Sequence, residues 1–114
     1  MKGKVVISSF WTRFFSWGKA DAVTIFPFIF VREKLCCDDP ILVNHERIHI
    51  RQALEMLVLP FYIWYVIEFL YRLIKYRNFQ QAYLNISFER EAYTQDKNLL
   101  YLKKRPYWSF LKYM

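Results

Sequence analysis

Both histidines of this 114-residue chain fall inside one five-residue stretch, His45-Glu46-Arg47-Ile48-His49. If the two imidazoles act together, the stretch must be helical, because positions four apart lie one above the other on a helix and can aim two ring nitrogens at one point. Glu46 is rotated around the same helix toward that point. Two imidazoles with a carboxylate at H-E-x-x-H spacing suit a divalent metal, zinc foremost. Glu46 is then placed to take a proton from a zinc-activated water and pass it to a leaving amine. The plainer alternative is a helix that happens to carry two histidines, against which stands the gathering of every imidazole into one pattern.

The flanking residues frame that helix. Asp39 is a natural N-cap and Pro40 a natural first helical residue, with Asp38 and Asp39 favourable near the positive helix end. The helix is expected over 40–59, ended or bent by Pro60. His45, Ile48, His49 and Gln52 share its metal face, leaving Leu42, Leu54, Leu57 and Val58 for the core. A second, mostly buried helix is expected over 61–76, with Glu68 and Arg72 spaced to pair. The uncharged run from Met56 to Ile67 is too short to span a bilayer, though a shallow insertion is compatible with it. After a polar connection with a helical turn near Gln80–Tyr83, Asn85 or Ser87 can cap a third helix over 86–103, which Pro106 ends.

Upstream, residues 4–7 can extend as a strand, and the apolar spacing from Phe10 to Trp17 is helical. Residues 23–32 are rich in β-branched and aromatic side chains around Pro27, which places them as a strand at a sheet edge. Such an edge can pair with an extended peptide, although a covered hydrophobic edge explains the segment equally well. With 55% hydrophobic residues, 21% aromatic residues and two glycines, the chain suits packed helices. The expectation is a single α+β, mainly helical domain over 1–114, with a short sheet and three main helices.

The formal charge of +7 is concentrated at the ends. Residues 1–19 carry Lys2, Lys4, Arg13 and Lys19, residues 103–114 carry Lys103, Lys104, Arg105 and Lys112, and neither segment has an acid. Between them, nine basic residues face ten acidic ones, a net of −1. Basic, aromatic ends suit an anionic membrane surface, and equally suit plain solubility. Nucleic acid is not the expected partner, since no recognition motif accompanies the charge. Adjacent Cys36 and Cys37 fit neither a disulfide framework nor a zinc finger, and point to a reducing compartment. The N-terminal apolar run is too short for a cleavable signal peptide.

A catalytic zinc usually takes three protein ligands, and with no third histidine a carboxylate must supply the last. Glu55 sits on the motif helix and cannot curl back, and Glu68 would need the second helix to return across the first. On the third helix, Glu89, Ala92, Tyr93 and Asp96 share a face from which Glu91 is turned away. Small Ala92 lets two helices approach, so Glu89 is preferred over Glu91.

The motif, followed some forty residues later by Glu89-Arg90-Glu91-Ala92-Tyr93, resembles the gluzincin metallopeptidases, in which a glutamate on a downstream helix completes the site. The nearest variants are the minigluzincins and the E-x-x-A-D signature of CAAX-prenyl-protease-like and antirepressor-type membrane peptidases. The resemblance implies that His45, His49 and Glu89 bind zinc, that Glu46 is the general base, and that an edge strand before the motif helix binds substrate. One departure is Tyr93, which stands where the signature has Asp, a residue that can buttress a ligating histidine. Asp96 is a candidate substitute, and Tyr93 a candidate donor to the oxyanion. The function implied is a zinc-dependent metallopeptidase acting on peptides or proteins, cytoplasmic or peripheral at the inner face of the cell membrane. The alternatives are a non-catalytic or vestigial zincin-fold module at the membrane and a helical packing protein without metal.

Overall fold

The computed structural model describes residues 3–16, 21–33 and 38–114. Cys36, Cys37, Lys2, Trp17 and Lys19 lie outside the described residues. The fold is α+β and mainly helical. Its first part comprises β1 (Lys4–Ile7), α1 (Ser9–Ser16), β2 (Ala22–Ile25) and β3 (Phe28–Val31). Helices α2 (Pro40–Glu55), α3 (Leu59–Tyr76), α4 (Phe79–Leu84), α5 (Ser87–Gln95) and α6 (Tyr101–Lys104) follow, then a 3-10 helix, Ser109–Tyr113.

The single edge strand expected over 23–32 is instead a hairpin. Proline has no N–H to give a ladder, and the chain uses Phe26-Pro27 as the turn between β2 and β3. β3 is central, parallel to β1 and antiparallel to β2, so only the β2 half of the segment lies at an edge. Residues directly opposite each other across strands share a face. Ala22 opposite Val31 and Thr24 opposite Ile29 therefore look the same way. That face meets α2, where Ile29, Val31 and Ile50 have no exposed surface.

Asp39 caps α2 as expected, its carboxylate accepting from the N–H groups of Ile41 at 3.0 Å and Leu42 at 3.2 Å. The helix stops at Glu55, four residues before the expected end. Leu57 and Val58 adopt φ of 60° and 68°, and Pro60 belongs to the first turn of α3. A left-handed branched residue costs on the order of 1–2 kcal/mol. The break it serves swings α3 through 114° relative to α2. Leu57, expected in the core, is 82% exposed.

α3 also departs from expectation: only Phe61 and Glu68 are buried along it. Its half-buried side, including Tyr62, Trp64, Tyr65 and Phe69, packs on a core of Ala53, Met56, Phe61, Ile86, Phe88 and Phe110. Phe88 is the hub, with ring centroids 4.6 Å from Phe61 and 4.5 Å from Phe110. The tail thus folds back into the core through Phe110. The third helix, expected unbroken over 86–103, is interrupted between Gln95 and Tyr101. Buried Asn44 offers the interruption a partner, its amide donating to the carbonyls of Asp96 at 2.8 Å and Asn98 at 3.1 Å.

Candidate metal centre

α2 presents His45 and His49 one turn apart, and α5 crosses it with Glu89 in its first turn. The close crossing is built on Ile48 and Ala92, both without exposed surface and in one cluster. Glu89 Oε1 lies 3.1 Å from His45 Nε2 and 3.1 Å from His49 Nε2. The three donor atoms fall within 4.8 Å of one another in a buried setting, so the group could hold a metal ion. The donor set fits that task, because two imidazole nitrogens and a carboxylate oxygen converge from two rigid helices.

Each ligand candidate is oriented from behind. His45 Nδ1 is 3.1 Å from Asp96 Oδ2, at the position weighed as a substitute for the missing Asp. His49 Nδ1 is 2.8 Å from Gln52 Oε1. The Gln52 amide nitrogen donates to the Phe88 carbonyl at 3.1 Å and to Glu91 Oε1 at 3.0 Å. Two acceptors there fix the amide, so its oxygen must face His49 and accept from Nδ1–H. A neutral His49 then keeps its lone pair on Nε2, on the Glu89 side. The Tyr65 hydroxyl donates to Glu89 Oε2 at 2.6 Å.

Glu89 is placed by an unexpected cap. Neither Asn85 nor Ser87 caps α5, whose N-cap residue Ile86 offers no side-chain acceptor. Glu68 of α3 supplies one instead, accepting from the backbone N–H of Ser87 at 2.5 Å and from its hydroxyl at 2.6 Å. A carboxylate against a helix N-terminus satisfies orphan donors and complements the dipole. Arg72 approaches the same carboxylate at 3.8 Å, the pair read from their spacing.

Glu91 takes a different partner. Its carboxylate accepts from Arg105 Nη2 at 3.0 Å and from the Tyr101 hydroxyl at 2.7 Å, wholly buried. Arg105 also reaches Glu55 at 2.9 Å. Glu46 is held by Thr24 of β2, whose hydroxyl is 2.5 Å from Oε2 and 3.2 Å from the Glu46 carbonyl. Tyr93 sets its ring 4.4 Å from that of His45, and its hydroxyl meets Tyr83 at 3.4 Å.

Sequence reading missed Tyr65 and Thr24. Tyr65 sits in the uncharged run of α3 and reads as core, and Thr24 reads as an ordinary β-former. Neither carries a local signal; both become visible only once α3 and β2 are placed beside α2.

The electrostatics of the metal-free cluster follow from one carboxylate between two imidazoles. Burial opposes charge on His49, but the Glu89 carboxylate outweighs it and lifts the imidazolium to about 9. His45 moves the same way, burial being overcome by its bond to Glu89. Burial would raise Glu89, yet the two histidines hold it well below the usual carboxylate range. Burial pushes the Tyr65 hydroxyl up, with the Glu89 charge adding to it, so it stays a donor.

In comparisons with protein-family models, characterised proteins and solved structures, none matched the chain.

Proposed function

We propose that the chain is a zinc-dependent metallopeptidase of the gluzincin type, with His45, His49 and Glu89 as ligands and Glu46 as general base. The observation that carries this reading is the meeting of His45 Nε2 and His49 Nε2 at one carboxylate oxygen of Glu89. Two histidines and a glutamate are a donor set that catalytic zinc takes, and bound zinc would acidify a water and polarise a peptide carbonyl.

The chain's own residues supply the rest. Glu46 takes the proton of the attacking water and delivers it to the departing amine, and the Thr24 hydroxyl fixes its carboxylate for both tasks. Substrate extends along the outer edge of β2, beside the same threonine. Two groups on that edge, the Thr24 carbonyl and the Phe26 N–H, are engaged by the Tyr62 hydroxyl at 3.4 and 2.8 Å. A pairing peptide takes over both. Tyr93, edge-on to the His45 ring, is the remaining candidate for steadying the oxyanion.

A second reading, a zinc site that is structural, draws on burial: His45, His49, Glu46 and Glu89 are each at most 6% exposed. Glu46→Gln separates the two. The peptidase reading expects the variant to bind zinc like the parent while release of new amino termini from an unfolded protein substrate stops. An unchanged release rate would remove Glu46 from the mechanism.

A further inference from the structure

The outward side of α3 has no polar side chain over most of its length. Leu59, Ile63, Val66, Ile67, Leu70 and Ile74 are each at least half exposed. At about 100° per residue they fall, with Tyr71, within an arc of about 140°, on a stripe about 22 Å long. The helix does contain an acid, but Glu68 is turned inward and held by Ser87, Trp64 and Arg72. Soluble monomers rarely leave such a contiguous apolar face in water.

Charge chooses among occupants. On α3 and its C-cap, Arg72, Lys75 and Arg77 stand against the single inward-held Glu68, so a second copy would bring like charge against like. An anionic bilayer attracts the same charge. The C-terminal end of α3 has the residues of a lipid interface, with Tyr71, Lys75 and Tyr76 in its last two turns and Arg77 as its C-cap. Arg72 lies 5.4 Å from the Tyr71 ring and Lys75 lies 5.4 Å from the Tyr76 ring. Among the described residues no single helix is long and apolar enough to cross a membrane. A helix of this kind lies in the surface with its apolar stripe in the acyl region.

We infer that the Leu59–Ile74 stripe of α3 is a docking surface for an anionic lipid bilayer, with the helix lying flat and its basic, aromatic end among the headgroups. The surface is independent of the metal chemistry and does not need it.

The test is co-sedimentation of the full chain with vesicles of phosphatidylcholine alone and of phosphatidylcholine mixed with phosphatidylglycerol, beside light scattering without lipid. The parent binds the mixed vesicles more tightly, and added salt weakens that binding. Ile63→Glu/Ile67→Glu, with an unchanged circular dichroism spectrum, loses affinity by on the order of a hundredfold. Should the double variant fail to fold, Ile74→Glu at the most exposed position gives the same direction. Three results overturn the inference: a parent that ignores both vesicles, a folded variant that binds like the parent, or a parent dimer that the variant splits while neither binds lipid. The second would assign lipid contact to the terminal segments, and the third would assign the stripe to a second copy.

Discussion

Gln52 and Asp96 orient the two proposed histidine ligands, because each holds one imidazole by the nitrogen that faces away from Glu89. Partners of this kind typically account for tenfold to hundredfold in metal affinity. Gln52→Leu and Asp96→Ala should each weaken zinc binding by about that factor in competition with a chromophoric chelator; parental affinity in both would remove them from the site. Protonation gives a second check on protein stripped of metal. The folded His49 value of about 9 lies above the ordinary 6.5, so its contribution to stability is complete below about pH 6.5 and lost as pH rises through 9. Glu89 runs the other way, contributing above its ordinary 4.5 and losing that contribution as pH falls toward its depressed value. The melting temperature of the stripped protein should therefore fall between pH 6.5 and 9, and the fall should be smaller in His49→Gln, where His45 is the remaining raised imidazole. A flat profile in the parent would mean that Glu89 does not hold the histidines charged.

At the level of elements, α5 depends on α3 through Glu68. Replacing Glu68 by Ala leaves the Ser87 N–H and hydroxyl without their acceptor in a buried setting, a cost on the order of 1–3 kcal/mol per orphaned group. Because Glu89 lies two residues beyond, chemical denaturation of Glu68→Ala should reveal both lower stability and weaker zinc binding. A loss of stability with unchanged zinc affinity would separate the cap from the site. The contrast between α2 and α5 shows what the sequence reveals. Asp39-Pro40 announces the start of α2 because cap and proline chemistry is local, and the i,i+4 histidines need only the helix itself. The cap of α5 lies nineteen residues away on another helix, so Asn85 and Ser87 looked like caps and were not. The hairpin was hidden for a related reason: Pro27 excludes a central strand position, and an edge strand and a turn both satisfy that. Likewise Pro60 marks a helix boundary without saying whether it ends one helix or opens the next.

Across the whole molecule, two helices from different parts of the chain make the candidate metal centre, and the remaining elements fix their crossing. Ile48 against Ala92 sets the distance, and Arg105 from the tail ties Glu91 of α5 to Glu55 of α2. That Glu89 and not Glu91 lies beside the two histidines was legible because helical geometry separates the two by face; the partner that occupies Glu91 was not, since Arg105 reads as part of a basic tail. Nor was the open side of α3, because hydropathy alone does not distinguish a buried apolar helix from one facing outward. The central claim is that His45, His49 and Glu89 form a zinc site, and metal analysis of protein purified without added zinc or a histidine tag tests it most directly. The account predicts equimolar zinc in the parent and in Glu46→Gln, and its loss in a folded Glu89→Ala. A parent without zinc, or a folded Glu89→Ala that keeps its zinc, would contradict it.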